Sequence, residues 1–400
     1  MEYGNYSTAR HSQREFMPET KKRRTTIIMG TINWSILICT LLLVSFGTVM
    51  VFSASYDHYQ YHYILNNIMW ALSGALIMFI LSIMNFNNFN DRRLVMVFYA
   101  VSVIVLFAVL VAGKVSHGAK RRILGIQPSE FVKLLTIIIL AHMLDTNKNF
   151  TTTHKGFWTC IVFFVGVPVA LIGLGNASTA IILGVVCMAM MFTVVKKWYW
   201  FLEVAAAGAV AGILVLFRGE GFRMGRIEAW LHPFEDTTGK SFQVIHSLYA
   251  VASGGLGGLG LGNSREKLSY LPEAHNDMIF SIICEELGLF GAAFLVILFT
   301  VLIFNGFRAA VKCYNTFGAL IAIGISTMIS LQVIVNMGVA TNTIPNTGIP
   351  MPFISYGGSS MWVNMASMGI LMSISRFFKD PKGVPRDEND PPRRERLSRR

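Results

Sequence analysis

Glu273, His275, Asn276 and Asp277 stand together in Leu271-Pro272-Glu273-Ala274-His275-Asn276-Asp277, directly before an apolar run that opens Met278-Ile279-Phe280. Ionisable groups at the edge of a membrane-length apolar segment are costly unless something uses them, so this heptad is a candidate site of chemistry. Glu273 and Asp277 are four residues apart, and a helical approach to the run would place both on one face with His275 pointing elsewhere. Mutual repulsion would raise the pKa of at least one when partly buried. That would suit it to accept a proton near neutral pH, a role worth roughly 10²–10⁴ in rate. Equally, Asp277 could simply cap the helix that follows.

A second constellation is Gln127-Pro128-Ser129-Glu130-Phe131-Val132-Lys133, which follows the basic cluster His117-Gly118-Ala119-Lys120-Arg121-Arg122. Pro128 marks a helix start. Glu130 and Lys133 then share a helical face just inside an apolar run, where a lysine needs a partner; a structural ion pair is one reading. The other is that Lys133, Arg121 and Arg122 bind an anionic phosphate. A third stretch, residues 342–360, packs three prolines and three glycines among apolar residues and carries Ser355 and Ser359. It cannot be a regular helix. Irregular backbone at membrane depth survives only when buried in protein or lining a polar cavity, which favours a re-entrant loop beside a cleft over a simple turn.

The elements that must position these residues follow from composition. Of 400 residues, 53% are hydrophobic and 14% charged, with 29 Phe and a mean hydropathy of +0.53. No ordinary soluble domain has that balance, and the expected fold is an all-α polytopic membrane protein. Spanning about 30 Å of hydrocarbon takes roughly 20 apolar residues. Such runs cover residues 27–52, 63–84, 94–112, 129–144, 157–174, 178–195, 200–217, 278–304, 317–338 and 359–378, ten spans. They divide the chain into a basic segment 1–26, a membrane domain 27–378 and a tail 379–400. The tail is rich in Pro, Arg and acidic residues and is expected to be disordered. Between the seventh and eighth spans lies a long outer loop, 218–277.

An even span number puts both termini on one side, and most of the 34 Lys and Arg fall in the terminal segments and the loops of that side, which marks it as the cytoplasm. A minority, including Lys120, Arg121, Arg122, Arg226 and Lys267, falls on outer loops. Net charge +12 and pI 9.6 suit an anionic inner leaflet, and no aromatic-interleaved basic module suggests nucleic acid. The five cysteines lie in or beside apolar runs without C-x-x-C spacing, so neither zinc nor a disulfide framework is indicated. Gly255-Leu256-Gly257-Gly258-Leu259-Gly260 matches a dinucleotide fingerprint in form only, because no strand precedes it. Its glycines are read as allowing bending or close packing against a helix.

These three motifs, in this order and with this span layout, resemble the SEDS family of polytopic glycosyltransferases, and the Leu-Pro-Glu-Ala-His form is most similar to its FtsW/SpoVE branch. The resemblance covers about residues 33–376. It implies a peptidoglycan glycosyltransferase polymerising lipid II at the outer face of the cell membrane. By it, Asp277 would be the base that deprotonates the acceptor sugar's 4-hydroxyl. Arg121, Arg122 and Lys133 would meet the diphosphate, with Glu130, Glu273, His275, Ser355 and Ser359 contributing to substrate binding. A divalent cation, Mg²⁺ or Mn²⁺, is compatible with an aspartate beside a diphosphate, with Asp277 as its ligand. Implied partners are a class B penicillin-binding protein and other divisome or sporulation membrane proteins. A lipid II flippase and a non-catalytic division scaffold are the alternatives. The sequence departs from the family pattern at Asn276, where threonine is usual, in the tryptophan-free Lys120-Arg121-Arg122-Ile123, and in Gly175-Asn176-Ala177-Ser178-Thr179, which lacks an aspartate.

Overall fold

A helix stands at each of the ten apolar runs in the computed structural model. It describes residues 27–29, 32–55, 60–116, 119–122, 126–218, 222–235, 239, 241–268, 271–272 and 274–379. In chain order the helices are α1 (Trp34–Ala54), α2 (Gln60–Ile83), α3 (Arg92–Ala112), α4 (Pro128–Thr146), α5 (Asn149–Thr152), α6 (His154–Cys160) and α7 (Val167–Gly175). Then come α8 (Ala177–Phe192), α9 (Tyr199–Arg218), α10 (Phe222–Leu231), α11 (Phe242–Ser253), α12 (Ile279–Lys312), α13 (Thr316–Ala340) and α14 (Gly358–Arg376). Among the described residues, α1, α2, α3, the rod from α6 through α7, α12 and α13 are long and apolar enough to cross a bilayer, and α8 and α9 are shorter apolar helices. The chain is therefore an all-α multi-pass membrane protein. The N-terminal basic segment and the C-terminal tail lie outside the described residues.

Asparagine and aspartate set many of the helix starts. Asn33, Asp91, Asn176 and Asn315 each accept backbone N–H groups of the first turn of α1, α3, α8 and α13. Short strands β1 (Ile27–Met29), β2 (Lys114–Ser116), β3 (Ala119–Arg122) and β4 (Phe377–Lys379) form two antiparallel pairs, β1 with β4 and β2 with β3. The first pair corrects the expected limits of the outermost spans. Residue 27 does not open α1 and residue 378 does not close α14, because Ile27 and Lys379, Ile28 and Phe378, and Met29 and Phe377 face each other as strand partners. It also joins the two ends of the helical domain on one face.

The fifth span contains a π-helical turn at Ile161–Gly166 between α6 and α7. Pro168 has no N–H to offer the carbonyl five residues back, and that carbonyl, of Phe163, instead accepts the Tyr99 hydroxyl of α3 at 2.7 Å. The eighth span is broken too. Gly288 interrupts α12 at φ 63° and ψ −161°, and the glycine run threads into the break. Leu259 N donates to Glu285 O and Gly260 N to Glu286 O, both at 2.9 Å, while Leu289 N donates to Gly255 O at 3.0 Å. A Cβ on Gly258 would lie 2.2 Å from Glu286 O, so only glycine permits this approach. The run is a packing device, as its composition suggested.

Loop 218–277 also holds structure of its own, α10 and α11. α11 packs its buried Val244, Ile245, Ser247 and Ala250 inward. The Ser247 hydroxyl contacts Ser281 Oγ at 2.6 Å and donates to Ala340 O at 2.8 Å, tying α11 to the ends of α12 and α13. α13 is buried along most of its length. A Cβ on its Gly324 would meet Ile137 of α4 and Met190 of α8, which sets α13 between those two helices. All five cysteines are buried and unbridged.

Candidate active site

Where α2, α4, α8, α13 and α14 open toward α10, α11 and the 342–357 loop, they enclose a cavity of about 630 Å³. Asp277 lies at its wall. The segment 274–278 forms turns and not a helix, so the one-face argument for Glu273 and Asp277 does not apply, and Glu273 itself lies outside the described residues. Nor does Asp277 cap α12: the N-cap position is Met278 and no side chain caps that end.

Backbone bonds hold Asp277 in place. Asn336, buried in α13, donates from Nδ2 to Asp277 O at 2.8 Å and to Ile349 O at 2.9 Å. One amide thus clamps the 274–278 segment to the irregular loop. Tyr356 N donates to His275 O at 2.9 Å, a second clamp. Gly348, at φ 65°, brings the loop so near that a Cβ there would stand 3.5 Å from Asp277 Oδ2. The His275 ring lies 4.9 Å from Tyr63 and 5.7 Å from Tyr356, in an aromatic wall that continues to Trp70.

Of the two readings of Glu130 and Lys133, the geometry realises the ion pair. Glu130 Oε2 and Lys133 Nζ form an ion pair at 2.9 Å with side chains 5% and 3% exposed, and both residues line the cavity. Ser359 also lines it, its Oγ accepting Gln127 N at 3.0 Å and so joining the starts of α4 and α14. Ser355 is turned away. Its buried hydroxyl accepts Met351 N at 2.8 Å and holds the turn at 351–355, outside the cavity lining. Arg121 and Arg122 fall on β3, paired with β2 ahead of α4; their side chains are outside what the structure describes.

Arg226 of α10 lines the same cavity, a cation that motif reading passed over. It donates from Nη1 to Asn346 O at 3.1 Å. Burial pushes its guanidinium below the ordinary arginine value, and the negative charge of Asp277 opposes that shift, so the two charges sense each other. Arg226 belongs to the minority of Lys and Arg that falls on outer loops, and that was the available signal. Gln243 of α11 adds a bridge, accepting from Asn346 Nδ2 at 2.7 Å and donating to Pro272 O at 3.2 Å. Among the described residues no group of three or more His, Cys, Asp or Glu is arranged to hold a metal ion.

Chemically, the arrangement offers a carboxylate, a facing guanidinium, an ion pair and an aromatic wall around one polar space. Residues 33–380 match the cell cycle protein family FtsW/RodA/SpoVE. The chain is 36% identical over 357 residues to stage V sporulation protein E of Bacillus subtilis (strain 168), covering 86% of this chain and 97% of that protein. It is 33% identical over 373 residues to the probable peptidoglycan glycosyltransferase FtsW of the same organism, covering 88% and 92%. Among solved structures, it is similar to a chain from a peptidoglycan synthase complex described as coordinating polymerization and crosslinking. That similarity has a TM-score of 0.74 and 26% identity over 86% of this chain and 98% of that one. The rod shape determining protein RodA of Thermus thermophilus shares the fold, with a TM-score of 0.64 and 22% identity over 86% and 97%.

Proposed function

The chain belongs to the FtsW/RodA/SpoVE cell cycle protein family, and from that membership we propose that it is a peptidoglycan glycosyltransferase that polymerises lipid II at the outer face of the cell membrane. Its ten apolar spans cross the bilayer with both ends on the cytoplasmic side. The β1–β4 pairing and the basic terminal segments support that orientation.

Asp277 acts as the base. The observation that carries this is its position at the wall of a cavity that Arg226 also lines, with its carbonyl clamped by Asn336. The acceptor 4-hydroxyl gives its proton to the Asp277 carboxylate while its oxygen bonds to the donor's anomeric carbon. The bond from that carbon to the diphosphate oxygen breaks, and undecaprenyl diphosphate leaves with the electron pair. Arg226, with Arg121 or Arg122 on the hairpin, offsets the charge of the leaving group. Of the described acidic residues lining the cavity, Glu130 is paired with Lys133, so a Mg²⁺ or Mn²⁺ arriving with the diphosphate would take Asp277 as its protein ligand. Such an ion would add charge stabilisation at the diphosphate.

A class B penicillin-binding protein is the partner, by analogy with the peptidoglycan synthase complex. The test is polymerisation of purified lipid II with and without that partner. Wild type should make glycan, and Asp277→Ala should lose at least about 10² in rate. No glycan from wild type with its partner present would sink the enzyme assignment; undiminished synthesis by Asp277→Ala would remove the base.

A further inference from the structure

The floor of the cavity carries a group that glycosyl transfer at Asp277 leaves unused. Gln332 of α13 lines the cavity and is 2% exposed, and its Oε1 is buried with no hydrogen-bond partner among the described residues. Burying a carbonyl unmet is costly, so such an acceptor in a cavity wall is a candidate contact for a ligand. Gln332 sits one helical turn below Asn336, the residue that clamps Asp277, and eight residues from Ala340 at the end of α13. At 1.5 Å per residue this is about 12 Å into the bundle.

The surroundings define what fits. Thr179 and Ile182 of α8 and the Glu130–Lys133 pair of α4 line the same cavity as Gln332. Because Lys133 is already neutralised by Glu130 at 2.9 Å, the floor has no net cation to offer a diphosphate. It offers an amide acceptor, a hydroxyl and an apolar wall. A volume of about 630 Å³ is within the range of pockets that enclose whole ligands.

We infer that this floor is a subsite for an N-acetyl group of the sugar substrate, with Gln332 Oε1 accepting the acetamido N–H and Ile182 facing its methyl. The inference rests on the glycosyltransferase reading, which supplies a substrate with one acetamido group on each ring. It divides the cavity by chemistry: charge is handled at the Asp277 and Arg226 level, and the neutral sugar substituent is held below. Gln332 is thereby a specificity residue and takes no part in proton transfer.

The test uses lipid II and two analogues, each with one acetamido group replaced by hydroxyl. Binding to the purified full-length protein and polymerisation are measured for wild type, Gln332→Met and Gln332→Asn. Wild type should bind lipid II about tenfold more tightly than one of the analogues, and both variants should lose that preference and raise KM on lipid II about tenfold with kcat little changed. Methionine removes the unmet carbonyl at nearly constant volume and asparagine draws it back by one methylene, so at least one should fold like wild type, checked by thermal unfolding in detergent. Equal binding of lipid II and both analogues by wild type would mean an ordered water only, and would overturn the subsite. So would variants that discriminate as wild type does. Failure of wild type to polymerise lipid II is a separate result that strikes the enzymatic reading, while the binding comparison still reports on Gln332.

Discussion

Glu285 and Glu286 lie little more than two helical turns beyond Asp277, and all three are acidic residues at the same membrane boundary, yet the fold treats them differently. Glu286 accepts Lys267 Nζ at 2.9 Å and the Ser53 hydroxyl at 2.7 Å, and the pair is fully buried. Glu285 accepts the Ser264 hydroxyl and Arg265 N, the latter at 2.8 Å. These two carboxylates are clasps that fasten the 258–268 loop to α12 and α1. Asp277 instead has its backbone clamped and its side chain beside a loop glycine at a cavity wall. Charge at a membrane edge is thus no sign of chemistry by itself; what separates the two regions is that Glu285 and Glu286 fasten a loop away from the cavity, whereas Asp277 lies at its wall.

The contrast can be broken most forcefully at Lys267. Replacing it by methionine leaves Glu286 buried without its cation, and about 3–5 kcal/mol of stability should be lost, seen as a large drop in Tm in detergent. The double variant Lys267→Met with Glu286→Leu should recover most of that loss. A single variant with unaltered Tm would show that the clasp holds nothing. Next in size is Asn336→Leu, which strips one donor from two carbonyls. It should cost about 1–3 kcal/mol and, by releasing Asp277, lower glycan synthesis about 10²-fold, more than the stability change alone explains. Activity that tracks stability only would remove the positioning role. The smallest effect is expected at Gly348. Alanine there adopts φ 65° at a cost of about 1–2 kcal/mol and sets a methyl in ordinary contact with Asp277 Oδ2, so Tm should fall slightly and kcat severalfold. An unchanged kcat would show that the loop does not confine the Asp277 carboxylate.

Much of the fold was legible from the chain. Apolar runs of membrane length are a local property, and a helix occupies each, because in lipid the backbone must satisfy its own hydrogen bonds. Asp277, Glu130 and Lys133 were found from type and spacing, His275 and Ser359 from the family resemblance, and the structure gathers all five around one cavity. Ser355 was grouped with them from the same motif, but its hydroxyl is turned into the loop to hold Met351 N. Nothing in the order of residues distinguishes those two serines.

The sequence by itself determined the class of protein, the polar segments that interrupt its helices and the acid at the end of the outer loop. Only the tertiary structure decided that Arg226 meets the loop at Asn346, that Asn336 holds Asp277, that Gln332 Oε1 lies in the cavity wall without a hydrogen-bond partner among the described residues, and that Glu286 is taken by Lys267. The reason is physical. Hydropathy and helix-start chemistry act between near neighbours in the chain, whereas the face a helix turns to a cavity is set by how its ridges pack on helices far away in sequence.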